Sequence, residues 1–169
     1  MRRAASLLCL AGALLATLGL PASAQEPARG GGPVVEVFEA SGVLDSSVLG
    51  ALRGDLDGAE RRGARVFLVQ LSSFGGLGVD PADVRRVVAE AAVPVAVWVG
   101  PRAAEAAGAA TFLLAGADVV GVARDARVGP ALPAELGRGR DPAAEAALFA
   151  RSGLPPAVRG ATLTGAAAQ

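Results

Sequence analysis

Three hydroxyl side chains stand where this chain could do chemistry. Ser72 and Ser73 end an apolar run just before Gly75-Gly76, and Thr111 closes a stretch of small residues that begins at Gly100. A hydroxyl becomes a useful nucleophile at neutral pH only when a neighbouring base takes its proton. The chain has no histidine, no tyrosine and no lysine; all 16 of its cations are arginine. This excludes Ser-His-Asp and Cys-His machinery and an imidazole metal site. It equally excludes a Ser-Lys dyad, a Schiff base and a Walker-type phosphate clamp. Exchange of surface lysine for arginine is what a GC-rich coding sequence produces and carries no meaning there. At a general base it does carry meaning, because guanidinium does not deprotonate in a protein. Carboxylates such as Glu105 and Asp118 are the remaining bases, and either would need its pKa raised by burial. Asp118 reads instead as a cap or flank of a strand, and Glu105 as a solvated helix position. No metal site and no cofactor are expected.

Sixteen acidic residues balance the 16 arginines, so the net charge of zero gives no electrostatic reason to expect a nucleic acid partner. Arg102, Arg124 and Arg127 are scattered and read as surface charges.

The elements that must position these residues follow a regular rhythm. Val34 to Phe38 reads as a strand, and Asp45-Ser46-Ser47 caps a helix with Val48, Leu49, Leu52, Leu56 and Ala59 on one face. Gly63 stops it, and Ala64 to Leu71 is a second strand. Asp80-Pro81 opens a helix to about Ala91, followed by a strand from Val93 to Val99. Pro101 opens an alanine-rich helix ending near Gly116, a fourth strand covers Ala117 to Val122, and Asp141-Pro142 starts a last helix to about Arg151. Strands apolar on both faces, alternating with helices, predict a mostly parallel sheet flanked by helices in an α/β fold. Leu113, Leu114 and Phe149 suit either a subunit interface or the domain's own core, with the core preferred.

Ligands in such sheets bind beyond the carboxyl ends of strands. Three loops lie there: Ser72 to Leu77, Gly100 to Thr111, and Ala126 to Pro133. A Gly-Gly pair after a buried strand turns the backbone and presents N–H groups, a potential oxyanion site. Each loop alone is equally well a plain turn or close packing; their order and spacing are what is specific.

Met1 to Ala24 reads as a Sec-type export signal: Arg2 and Arg3, an apolar stretch from Ala4 to Leu20, then Ala22-Ser23-Ala24 before Gln25. Cys9 lies within it, so a cleaved chain has no cysteine, and stability outside the cytoplasm must come from packing. Gln25 to Pro33 reads as a flexible spacer, leaving 34–169 as the domain. Ala161 to Ala166 looks like a loop leading into a further helix, so a chain cut short at its C-terminal end is expected.

Taken together, the Gly-Gly strand end, Val-Pro-Val-Ala-Val-Trp-Val, the Pro-opened alanine-rich stretch with Thr-Phe-Leu-Leu, and Val-Gly-Pro-Ala-Leu-Pro resemble the extracytoplasmic domain of NfeD proteins. These are membrane-bound serine protease homologues of the ClpP/crotonase superfamily, and the resemblance covers about Val34 to Thr164. It implies a ClpP/crotonase-like spiral. It also implies that Gly75, Gly76, Gly108 and Ala109 hold the oxyanion-hole backbone, with Phe74, Thr111, Gly129 and Pro130 lining a pocket. The family's first loop reads Asp-Thr-Pro-Gly-Gly, of which this chain keeps only the glycines. The position of the family's nucleophilic serine holds Gly108, and the region of its general-base lysine, Gly137-Arg138-Gly139-Arg140-Asp141, offers only arginines. The resemblance therefore implies a catalytically inactive, exported binding or assembly module. Its implied partners are a stomatin-like membrane protein and apolar peptide segments, with membrane association and homo-oligomerisation following from relatives. The alternatives are an active serine endopeptidase cutting apolar segments, and a crotonase-like enzyme handling thioesters.

Overall fold

β1 (Val35–Leu44) and β2 (Val66–Gly76) are the longest strands and run parallel along their full length. They belong to a computed structural model that describes residues 34–131, 142–159 and 162–166. The export signal, the spacer and the Gly137 to Asp141 segment lie outside the described residues. α1 (Ser46–Arg62) joins the two strands. The Asp45 carboxylate accepts the N–H groups of Ser47 and Val48, each at 2.9 Å, which satisfies donors that a helix start leaves orphaned. Gly63, at φ 69°, ends the helix. Arg62 in the last turn donates through Nε to Glu36 Oε1 at 2.6 Å and through a second nitrogen to the other oxygen, tying α1 to β1. That hydrogen-bonded guanidinium holds the Glu36 carboxyl below the usual carboxylate range.

α2 (Pro81–Ala89) starts with Asp80 accepting from the Ala82 N–H at 2.7 Å and with proline in its first turn, as the sequence predicts. β3 (Val95–Val99) pairs with β2 from Phe67 to Leu71, and β5 (Val119–Val122) continues the sheet beyond β3. Asp118 does flank the fourth long strand: its carboxylate accepts the Val95 N–H at 2.8 Å and so fixes the β3–β5 register. Past Leu71, β2 loses β3 and pairs through Ser73 with β4 (Glu105–Ala106). β4 then pairs with β6 (Arg127–Val128), and β6 with β7 (Leu163–Thr164), the last antiparallel and all others parallel. One long strand thus serves two differently directed parts of a curled, seven-stranded sheet.

Burial explains why the helices gather where they do. Along β2, Phe67, Val69, Leu71 and Ser73 are buried while Val66, Leu68, Gln70 and Ser72 are half exposed, the two-residue alternation of a strand with one covered face. Val95, Val97 and Val99 of β3 continue the covered face. Leu49, Leu52 and Leu56 of α1, Val84 and Val88 of α2, and Phe112 and Leu113 of α3 (Thr111–Gly116) complete one core cluster with them. Leu113 and Leu114 are core residues, and Phe149 of α4 (Pro142–Ser152) packs against that core. Among the described residues, no helix is long and apolar enough to cross a membrane.

Two sequence expectations are corrected. Ser72 to Gly76 is not a loop but the continuation of β2, because β1 keeps pairing with it to the end. Pro101 does not open a helix: Glu105–Ala106 is a strand, Gly108–Ala110 a single 3-10 turn, and only Thr111–Gly116 is α-helical. Glu105 accordingly lies on β4 rather than on a helix face, 3.4 Å from the Arg127 guanidinium. Alanine favours helix, but tertiary context readily overrides propensity. Here the backbone groups have better partners: Ala107 N–H donates to Ser73 O at 3.0 Å, and Ala104 and Ala106 carbonyls accept from Arg127 and Gly129 at 2.9 and 2.8 Å.

Candidate functional site

The site forms where the end of β2 meets the 3-10 turn. A register shift between Gly42 and Val43 leaves Phe74 opposite no residue of β1, so β2 carries a one-residue bulge there. The Phe74 side chain is consequently thrown outward and is 64% exposed. Beyond it, Gly76 passes so close to the turn that a Cβ at position 76 would lie 2.7 Å from both Ala109 Cβ and Val79 Cγ2. Ala109 and Ala110 are fully covered. The strand end therefore packs against the turn with no space for a side chain at position 76.

Gly108 begins the turn at φ 53°, in the left-handed region, and is buried. Its N–H donates to the Pro130 carbonyl at 2.8 Å, and its own carbonyl accepts from Thr111 Oγ1 at 2.7 Å. The Gly108 amide is thus engaged within the protein. The Ala109 amide sits in the first turn of a helix, where N–H groups lack intrahelical acceptors. Gly129 is buried; its N–H bonds Ala106 O at 2.8 Å and its carbonyl accepts from Thr162 Oγ1 at 3.2 Å. Pro130 is exposed at the rim.

The structure therefore brings Gly76, Gly108, Ala109, Thr111 and Pro130 together, with Gly75 and Gly129 adjoining and Phe74 on the outer side. What the sequence did not disclose is how the hydroxyls are used. Thr111 is fully buried and spends its proton on Gly108 O. Ser73, 1% exposed, donates to Gly75 O at 3.1 Å and accepts from the Gly75 N–H at 3.4 Å. The Ser73 and Thr111 protons are both directed at backbone carbonyls, not at a base. Glu105 is paired with Arg127, and Asp118 with the Val95 amide, so neither carboxylate faces these hydroxyls. The Pro130 acceptor could be anticipated only from the pairing of β4 with β6, two-residue strands too short to carry a periodicity. Among the described residues, no group of three or more histidine, cysteine or carboxylate side chains is placed to hold a metal ion.

Neither a protein-family model nor a curated protein sequence matches the chain. Solved structures do. The 1510-N membrane-bound stomatin-specific protease, as a lysine-to-alanine variant in complex with a substrate peptide, superposes with a TM-score of 0.63 at 22% identity over 70% of this chain. Its serine-to-alanine variant gives 0.61 at 21% identity over 71% of this chain. The 1510-N membrane protease specific for a stomatin homolog from Pyrococcus horikoshii gives 0.53 at 22% identity, over 58% of this chain and 49% of its own. The match spans only 57% and 60% of the lengths of the first two. At these identities the likeness shows the fold: an α/β, ClpP/crotonase-like spiral with a mostly parallel sheet, as the sequence resemblance implies.

Proposed function

We propose that the chain is a catalytically inactive serine-protease homologue that acts as an exported module for binding or assembly, and that it takes apolar peptide segments of a stomatin-like membrane protein. One observation carries this reading. Where the resemblance puts the nucleophilic serine, this chain has Gly108, buried, left-handed and bonded on both sides of its peptide unit. The lack of any lysine or histidine supports it, because no ordinary base is left to activate a substitute hydroxyl. The peptide-binding half of the proposal draws on a structural neighbour that holds a substrate peptide in the same fold. A binding role needs only the strand end and turn, both of which are built here from close backbone packing rather than from chemistry-bearing side chains. The same engagement of Ser73 and Thr111 argues against the endopeptidase alternative.

Incubating the full chain with fluorescent apolar peptides that tile a stomatin-like membrane protein tests both halves. The expected result is a saturable rise in anisotropy with no cleavage product by mass spectrometry over a day. Peptide hydrolysis that scales with protein concentration would overturn the inactive reading, and an anisotropy that never rises would overturn the binding role.

A further inference from the structure

We propose that the cleft between α2 and α4 binds a phosphomonoester through Arg85 and Arg151. The cleft measures about 330 Å³ and is lined by Ala82, Arg85, Arg86, Ala89, Glu90 and Arg151. Among the described residues, three arginines and one carboxylate line it. Arg86 is already committed: it meets Asp83 at 2.7 Å and Glu90 at 3.9 Å, along its own helix. Arg85 and Arg151 have no ion-pair partner among the described residues.

Arg85 carries the sharper signal. Its Nε is sealed from water with no acceptor, and it is the only buried side-chain nitrogen or oxygen in that condition among the described residues. Native proteins leave few such groups, and one left over calls for a partner. A guanidinium stripped of water at one nitrogen gains more from an oxyanion than a hydrated one does. Two unmatched positive charges favour a ligand with about two negative ones, and a phosphomonoester carries about −1.5 to −2 at neutral pH. A carboxylate carries one, and so matches less well. The planar forks of two arginines also suit a tetrahedral oxyanion better than ammonium groups would. This site stands apart from the proposed peptide-binding role and does not depend on it.

Isothermal titration of the full chain with inorganic phosphate at low ionic strength tests the site. Saturable binding is expected, weakened about tenfold or more in Arg85→Gln and Arg151→Gln, because each removes one charge-assisted contact. The exposed Arg124→Gln control is expected to bind as the parent does. Acetate is expected to bind at least about tenfold more weakly than phosphate, and about 0.5 M salt to suppress binding. Arg151 is exposed, so its variant folds normally and decides the matter if Arg85→Gln does not fold. Absence of saturable phosphate binding, or full binding by Arg151→Gln, overturns the proposal. Sedimentation with vesicles of phosphatidic acid in phosphatidylcholine then separates the sources. Binding lost in Arg151→Gln assigns a lipid headgroup, and binding to free phosphate alone assigns a soluble phosphomonoester.

Discussion

The Gly76→Ala protein is expected to lose about 2–3 kcal/mol of stability, the cost of forcing atoms into a well-packed contact. The added methyl would lie 2.7 Å from Ala109 Cβ and 2.7 Å from Val79 Cγ2, with Leu44 O at 3.4 Å behind it. None of these can swing away: Ala109 Cβ is fixed to the backbone of the 3-10 turn, and a valine methyl has one stiff torsion. Relief must come from parting β2 and the turn, which also displaces the backbone groups of the proposed peptide site. Peptide binding should therefore weaken together with stability. A control of opposite sign is available in Gly50, exposed on α1, where a Cβ meets nothing within 4 Å. Gly50→Ala should stabilise the protein by roughly 0.5–1 kcal/mol, since glycine is the poorer helix former. Urea unfolding followed through the fluorescence of Trp98, the one tryptophan in the chain, checks both. A Gly76→Ala midpoint equal to that of the parent would show that the contact between strand end and turn is not as close as described.

Phe67→Ala is expected to cost more, about 3–5 kcal/mol, by removing transfer free energy and leaving a cavity. Phe67 is 1% exposed, near the start of β2, with Glu36 of β1 and Val95 of β3 as its register neighbours. Its ring stacks on Phe38, with centroids 6.5 Å apart and planes inclined at 27°. Strands on both sides and helices above keep the site from collapsing, so most of the cavity should persist. Against a total stability of about 5–15 kcal/mol, such a loss is large. For a domain of this size it lowers the melting temperature by roughly 6–20 °C, at about 2–4 °C per kcal/mol. A thermal scan showing a change under about 3 °C would mean the neighbours close over the gap.

Much of this was legible because local and tertiary preferences agree. Asp45 and Gly63 bracket α1, Asp80-Pro81 opens α2, and apolar runs mark β2 and β3; each signal is a backbone or burial requirement that the fold also imposes. The Gly100 to Ala107 segment was not legible, because its alanine-rich composition favours helix while its hydrogen-bond partners lie far away in sequence. Ala103 even takes φ 57°, a conformation no composition argument would assign to alanine. At the candidate site, the positions were named by the family resemblance; the structure puts Gly76 against Ala109 and Gly108 against Pro130. The direction of the Ser73 and Thr111 protons was not legible, since a hydroxyl's partner depends on which carbonyl the fold brings within about 3 Å. Arg85 was equally hidden: periodicity marks it as one more helix arginine, and only the packing around it leaves Nε without an acceptor.

On the proposed reading, the site has lost its nucleophile and its base together. Labelling of the full chain with a fluorophosphonate, beside the Gly108→Ser variant, tests this most directly. A serine at position 108 would have to hold φ near 53°, at a strain of about 1–3 kcal/mol, and would still find no lysine or histidine in the chain to take its proton. The account predicts no label on either protein while both remain folded by circular dichroism. Label on the unmodified chain, abolished by Thr111→Val or Ser73→Ala, would contradict it.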